Sequence, residues 1–445
     1  MSGTGLLWKK WIYTVRRKPQ ATVLIEAETG RLLRRGELQF LAERFHEENL
    51  RGTENQRVAL CCHNSFAWMI AFLAVQRGQG AVIGMDAGTP AEKQEELARS
   101  LGAEWLLSEE SGEIFLGSKH KAKGIAVIKL TSGSTGVPKK ISCRAEHLIA
   151  DGKAVIKGMG IRESDTNLAL IPLGHSYALG NVVMPLILQG TRALLVKAFV
   201  PSQIPDWIRK YRVTVFPSVP VVFRLLGRMK GRSGLKPLRL AISAGEVLPV
   251  ETTLAFHNRF GLNIHNFYGS SETGGICYDR GGTLSRTDGG VGRPLPGVRV
   301  HIAKSGTITV SGSAVAIGGG RFRLADVGRW NGKETLQLLG RRDATANIGG
   351  KKVAPAEIQQ VLLKLPGTSD AWVGMVRHQQ RDILIAAVET SLKATKVEAA
   401  LGKQLPAWKI PRLFRCMVSL PRNARGKVDT GAVREMMLTG FSGLE

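Results

Sequence analysis

Between about Arg57 and Phe267 short β-rich runs alternate with stretches of helical periodicity. That alternation limits the chain more than any other feature, because parallel strands need crossover connections of a dozen or more residues, which helices usually fill. The runs RVALCC (57–62), IAVIKL (125–130), NLALI (167–171), VTVF (213–216), LRLAIS (238–243) and NIHNF (263–267) read as strands. Ala91–Leu101, Ala145–Lys157 and Val250–Phe260 read as helices between them. The expectation is an α/β body of parallel sheets covered by helices. From Gly289 to Leu339 the pattern changes to short strands with Gly-rich turns, as in VRVHI, GTITVSG and Gly318–Gly320, which predicts an antiparallel or barrel-like subdomain. A second small unit follows GRRD at 340–343, with a helix from about Pro355 to Leu365, strands near 371–378 and 382–389, a helix near 394–404 and a basic polar segment at 421–427.

A chain of 445 residues, 43% of them hydrophobic, has enough apolar material for one large and one small core. Its longest mostly apolar stretch, Phe66 to Val75, falls short of the roughly 18 to 20 residues that span a bilayer, so no transmembrane helix is expected. The N-terminus is basic and aromatic but lacks the apolar core and cleavage site of a signal peptide, which predicts a cytoplasmic protein. Within it, Trp8, Trp11 and Tyr13 interleave with Lys9 and Lys10. Leu6–Arg17 therefore fits either a membrane-surface segment or, the reading preferred here, an ordinary helix packed on the body. Cys61, Cys62, Cys143, Cys277 and Cys416 form no CxxC pair and are expected to be reduced, mostly buried small hydrophobes. With 62 Lys+Arg against 36 Asp+Glu the net charge is +26, which favours acidic partners: ATP, an anionic membrane surface, nucleic acid or an acidic carrier protein. The basic residues are scattered and no nucleic-acid-binding motif groups them, which argues against nucleic acid.

The strongest local signal is Thr131-Ser132-Gly133-Ser134-Thr135-Gly136-Val137-Pro138-Lys139, directly after IAVIKL. Hydroxyls and glycines packed together let backbone N–H groups wrap a phosphate chain, with a lysine nearby as counter-charge. No Walker A pattern can be drawn through these residues.

TSGSTGVPKK resembles the signature loop of the adenylate-forming superfamily, which includes acyl-CoA synthetases, nonribosomal-peptide adenylation domains and luciferases. The resemblance extends over nearly the whole chain, with further motifs in the expected order. Ser243-Ala244-Gly245-Glu246 is similar to the segment that packs against adenine. Asn266-Phe267-Tyr268-Gly269-Ser270-Ser271-Glu272-Thr273 resembles the YGxTE box, with Ser271 in the threonine position. The resemblance implies that Tyr268 stacks on adenine, Ser271 bonds the α-phosphate and Glu272 holds Mg²⁺, a hard cation suited to a departing pyrophosphate. Asp326, in FRLAD where the family has YRTGD, matches the carboxylate that binds the ribose hydroxyls.

GRRD resembles the interdomain hinge, where the backbone of Asp343 would turn and Arg341 would face the nucleotide. Gly349 and Gly350 match the glycines that admit the thiol acceptor through a narrow tunnel. Pro421–Asp429 resembles the C-terminal GK box, whose lysine, Lys427 here, would bridge the substrate carboxylate and the α-phosphate. The implied organisation is a large N-terminal AMP-binding α/β domain over 1–340 with two main sheets and the barrel-like subdomain, a hinge at 341–343, and a small mobile C-terminal α+β domain over 344–445 carrying the catalytic lysine.

For the acid, His175 matches an aromatic or histidine position that gates the pocket in acyl and aryl ligases, and is followed by Ser176. Amino-acid-activating relatives place an aspartate here to pair with the substrate ammonium. No Asp lies between Ala169 and Thr191, which argues against an amino acid. Many aryl-acid ligases have asparagine where Ser176 stands, which puts a fatty or other apolar acid first and aryl acids second. The run at 216–226, which includes Val219, would line one wall of the acyl pocket and would equally fit a plain core helix.

The implied reaction has two halves. A carboxylate attacks the α-phosphate of Mg·ATP and pyrophosphate leaves. The small domain then turns about Asp343, and a thiol takes the acyl group and releases AMP. The acceptor is coenzyme A or the phosphopantetheine of a carrier protein, and the basic charge slightly favours an acidic acyl carrier. A rival reading is a nucleotide-binding regulator without catalysis, suggested by the departures at Lys140, Leu324 and Ala325. Glu272, Asp326 and Lys427 argue against it.

Overall fold

The computed structural model describes residues 4–439 apart from 51–53, 110–111, 118–121, 123, 132–138, 230–233, 288–289, 333, 342–345, 349–350, 354, 379–380 and 424–427. Two large sheets carry the first two thirds of the chain. The nine-stranded sheet runs in the order Arg293–Pro294, Gly274–Tyr278, Ile264–Ser270, Leu240–Ser243, Val215–Ser218, Thr166–Ala169, Arg192–Leu195, Thr22–Glu26, Leu32–Arg34. Its interior pairs are parallel and its margins antiparallel. The six-stranded sheet, Gly112–Phe115, Trp105–Ser108, Arg57–Cys61, Ala81–Gly84, Ile125–Thr131, Lys139–Arg144, follows the same plan. Strands such as Thr166–Ala169 and Leu240–Ser243 are buried at every position, as expected for parallel strands covered on both faces.

One apolar cluster joins the two sheets. Leu24 and Ala193 of the larger and Val58, Leu60 and Val82 of the smaller meet residues of the helices Phe66–Arg77 and Ala145–Met159. Phe66–Arg77 is thus a core helix of 12 residues, and among the described residues no helix is long and apolar enough to cross a membrane. The helices Ala91–Leu101 and Val250–Phe260 have the expected bounds, and Ala145–Met159 runs two residues beyond the expected Lys157. The strand expected at 263–267 continues to Ser270 and takes in Tyr268. Lys139–Arg144 was not expected as a strand; it pairs antiparallel with Ile125–Thr131.

Residues 299–341 form a four-stranded antiparallel sheet that packs Ile308, Val310, Leu324 and Leu336 against Ile276 and Cys277. Beyond it the chain builds its own core. The long pair Thr368–His378 and Arg381–Thr390 is joined in parallel by Leu413–Met417, and the helices Pro355–Leu363, Ala394–Gly402 and Thr430–Leu438 contribute to the apolar clusters on this sheet. The third strand and the last helix were not expected. None of the five cysteines is in a disulfide; Cys61, Cys143 and Cys277 are buried and the other two partly so.

The N-terminal helix Leu6–Arg17 turns Leu7, Trp8, Trp11 and Val15 into the core at helical spacing, leaving Lys9, Lys10, Tyr13, Arg16 and Arg17 outside. The Thr14 hydroxyl donates to the Ile187 carbonyl (2.7 Å), and buried Arg35 donates to the carbonyl of Gly190 and the carboxylate of Glu163, both at 2.9 Å. The tryptophans are core residues, as in the packed-helix reading, and of the aromatic side chains of this helix Tyr13 stays exposed. Trp11, 0% exposed, should cost about 3–5 kcal/mol of stability when replaced by Ala. Urea unfolding measures this, and a loss below about 1 kcal/mol would contradict the packing.

Candidate active site

Ligands of open α/β sheets sit beyond the carboxyl ends of the parallel strands. Four neighbouring strands end together here. Thr166–Ala169 leads to His175 and Ser176, Val215–Ser218 to Val219, Leu240–Ser243 to Ala244, Gly245 and Glu246, and Ile264–Ser270 to Ser271 and Glu272. The order of strands in the sheet therefore gathers eight of the expected site residues along one margin.

At the last of these ends the sheet reverses. Ile264–Ser270 pairs in parallel with Leu240–Ser243 and antiparallel with Gly274–Tyr278, with Ser271, Glu272 and Thr273 as the turn. Gly269 has no room for a side chain, since a Cβ would lie 2.7 Å from the Gly274 carbonyl oxygen. Gly274 has φ of +71°, and a Cβ there would meet an Asp151 oxygen at 2.5 Å. The Thr273 N–H donates to Ser270 Oγ (3.3 Å), and the Glu272 carbonyl accepts from Ala316 N (2.9 Å). Ser271 and Glu272 are left half-buried at the tip.

Tyr268 donates its phenol to Asp326 Oδ2 at 2.5 Å across 58 residues of sequence. Burial first, then the Asp326 carboxylate, pushes that phenol well above its usual range. Asp326 is also the cross-strand partner of Arg341. An aromatic ring, a carboxylate and a guanidinium thus come from one neighbourhood, a set suited to a purine, a ribose diol and a phosphate.

On the acid side, Ser176 Oγ lies 2.8 Å from Ser271 Oγ, so a residue expected in the acid pocket touches one expected at the α-phosphate. His175 Nδ1 accepts from the Tyr177 N–H (3.3 Å) and caps the short helix Ser176–Ala178. A π-helical turn follows at Leu179–Val183, a form often found at functional sites. Tyr177 anchors this segment by donating its buried hydroxyl to the Ile242 carbonyl at 2.9 Å.

Some expectations change. Ala244 turns its side chain into an apolar cluster with Leu240 and Phe267, so only its backbone could meet a ligand. Of the run 216–226, Phe216, Val222, Phe223 and Leu226 pack into the core, and Val219 remains at the strand end, half-buried. The run is the helix Pro220–Arg228 with its preceding strand, which matches the core-helix alternative and leaves Val219 at the strand end. Lys139 is exposed, and Lys140 donates to the carbonyls of Ser100 and Leu101 at the end of the helix Ala91–Leu101. Ser132, Gly133, Ser134, Thr135, Gly136, Asp343, Gly349, Gly350 and Lys427, with the side chain of Thr131, lie outside the described residues. Lys129 and Asp151, both buried beneath the Ser271 turn, were not singled out from the sequence; their one signal was an ionisable residue within an otherwise buried strand or helix face.

The frame around the expected catalytic lysine is described on both sides. Arg422 donates to Asp370 Oδ2 (2.6 Å) and Glu389 Oε2 (3.1 Å) and forms a β-bridge with Val428, and Asp429 caps the following helix. Arg224, from the helix Pro220–Arg228, joins the cluster by donating to Glu389 Oε1 (3.0 Å) and the Ser369 carbonyl (3.1 Å). This cluster spans the larger and smaller cores.

Residues 110–318 match the family model described as AMP-binding enzyme. The chain is 27% identical to a 4-hydroxybenzoate–CoA/benzoate–CoA ligase of Rhodopseudomonas palustris, over 73% of this chain and 67% of that one. It is 22% identical to a 3,4-dihydroxybenzoate–[aryl-carrier protein] ligase of Bacillus anthracis, over 86% and 92%. The ATP-bound structure of MatB from Rhodopseudomonas palustris superposes with a TM-score of 0.85 at 20% identity, over 97% of this chain and 98% of that one, which establishes the likeness of fold.

Burial alone would raise the Glu389 carboxyl, but the Leu420 N–H, Arg224, Ser369 and Arg422 outweigh it and hold the group below its ordinary 4.5. A carboxylate held low when folded contributes stability that is present above the unfolded value and lost as pH falls below it. Glu389→Gln should cost about 3 kcal/mol near pH 7, as breaking a buried pair typically does, and should flatten the stability loss below about pH 4.5. Urea titrations across that range test this, and an unchanged acid limb would argue against it.

Proposed function

The chain belongs to the adenylate-forming (AMP-binding) superfamily, and from that premise we propose that it is an acid–thiol ligase. It activates a carboxylic acid with ATP as an acyl-adenylate, releases pyrophosphate, and passes the acyl group to coenzyme A or a carrier-protein phosphopantetheine with release of AMP. The observation that carries this reading is the pair of contacts Tyr268–Asp326 and Ser176–Ser271, which support a nucleotide end and an acid end meeting at one serine.

In this reading Tyr268 and the backbone of Ala244 and Gly245 flank the adenine, Asp326 takes the ribose hydroxyls, and Arg341 faces the nucleotide. Residues 131–139 wrap the phosphates, with Glu246 beside the nucleotide and His175 at the mouth of the acid pocket. Ser271 orients the α-phosphate beside Ser176, so the attacking carboxylate needs little further placement. Glu272 would hold Mg²⁺, which supplies charge neutralisation to the leaving pyrophosphate. Lys427 neutralises the charge that develops at the α-phosphate. The small C-terminal unit (344–445) turns about 341–343 between the two halves, with Asp343 as pivot, and Gly349 and Gly350 then admit the thiol.

No aspartate lies within 169–191 to pair with a substrate ammonium, so an amino acid is disfavoured. The expectation of a fatty or other apolar acid rested on Ser176 in place of asparagine, with 216–226 only consistent with it, and in that run Phe216, Val222, Phe223 and Leu226 pack into the core. With relatives named for benzoate and 3,4-dihydroxybenzoate, a ring-bearing acid now comes first and a fatty acid second. The net charge of +26 favours an acidic carrier. If a carrier is the acceptor, raising salt slows carrier loading and leaves adenylation nearly unchanged; equal effects on both steps point to coenzyme A.

ATP–pyrophosphate exchange with a panel of ring-bearing, fatty and amino acids tests the whole reading. Exchange is expected with one acid class and should fall about 100-fold or more in Lys427→Ala. Measurable ATP binding without exchange for any acid would indicate a nucleotide-binding protein that has lost catalysis.

A further inference from the structure

Lys129 and Asp151 take no part in the reaction as drawn, yet both are 4% exposed. Lys129 belongs to the strand Ile125–Thr131, and its amino group donates to the Ser271 carbonyl oxygen at 3.5 Å, a long bond. Asp151 belongs to the helix Ala145–Met159 and accepts the Gly275 N–H at 2.8 Å. A Cβ at Gly274 would lie 2.5 Å from its Oδ1, and one at Gly180 2.9 Å from its Oδ2. The carboxylate is therefore wedged between the Ser271 turn and the π-helical turn of the acid pocket, where only glycine backbone fits. Burial raises the Asp151 carboxyl, and Lys129 and the Gly275 N–H oppose that rise.

Placing two ions in a core costs several kcal/mol each, and apolar residues of similar volume often do as well or better for stability. The charges are therefore poorly explained by folding alone. What they hold is the turn: Lys129 engages the carbonyl of the Ser271–Glu272 peptide, and in a trans peptide the N–H of Glu272 then points the opposite way, out of the core. We propose that Lys129 and Asp151 are positioning residues for adenylation, two buried groups each bonded to backbone at or beside the Ser271–Glu272 turn, which fix it from beneath and, through Gly180, set the acid pocket against it. This rests on the roles given above to Ser271 and Glu272. The pair sets the turn before substrate arrives, and its effect falls on the transition state, where a misplacement near 1 Å can cost about 100-fold.

The experiment uses the full chain with Lys129→Met, Asp151→Asn and the double variant, measuring kcat and KM in ATP–pyrophosphate exchange together with thermal unfolding. The double variant should hold the unfolding midpoint while kcat drops about 10-fold or more with KM for ATP within about threefold, and Lys129→Met, which leaves Asp151 without its opposite charge, should lose rate as well. Three results would overturn the assignment: an unchanged kcat in Lys129→Met, a loss of rate that follows a loss of thermal stability in all three variants, or recovery of wild-type kcat in the double variant, which would make the two charges mere counter-ions. Wild-type chain that shows no exchange with any acid overturns the ligase reading and this assignment with it, whereas active wild type with unaffected variants overturns this assignment alone.

Discussion

The turn at Ser271–Thr273 depends on a close approach of backbone to backbone at Gly269 and Gly274, with Asp151 occupying the space that a side chain at Gly274 would need. At this point the larger sheet stops being parallel. A parallel edge ends in a crossover that leads the chain away, whereas an antiparallel turn keeps successive residues at the sheet margin. Ser271 and Glu272 are held there beside Ser176, and Tyr268 is held two residues inside the end of the strand, within reach of Asp326. The geometry of the site follows from this reversal more than from any single functional side chain.

Much of this was legible from residue types. Alternating runs gave the parallel strands, because a strand buried on both faces has few ways to be written other than with apolar residues. Tyr268 and Asp326 were legible by resemblance, although 58 residues separate them. Lys139–Arg144 was missed because KKISCR buries only Ile141 and Cys143, too short an alternation to stand out beside the loop that precedes it. Lys129 was missed for the opposite reason: one ionisable residue in IAVIKL does not disturb an apolar pattern, and nothing in one dimension says whether its end reaches water. The run at 216–226 stayed open between two readings because a core helix and a pocket wall need the same apolar residues; Val222, Phe223 and Leu226 turn to the core, and Val219 stays half-buried at the strand end.

The basic excess is likewise placed by the fold. The N-terminal helix spends its tryptophans on the core and presents lysines and arginines outward, while Arg35, Arg224 and Arg239 are drawn inward against Glu163, Glu389 and Asp165. Arginine suits these partly dry positions because its planar fork can serve a carboxylate and a carbonyl together, as Arg35 and Arg224 both do.

The cluster around Glu389 has a consequence for any relative movement of the two cores. Its four charges sum to zero, but they are divided unevenly: Arg224 stands alone on the larger core, and Asp370, Glu389 and Arg422 together leave one net negative charge on the smaller. Parting them would create a separated dipole across the gap, whose attraction persists through water over about 8–10 Å at ordinary ionic strength. Counter-ions therefore set how readily the two faces find each other again, and the arrangement seen here is the one that low salt would hold longest.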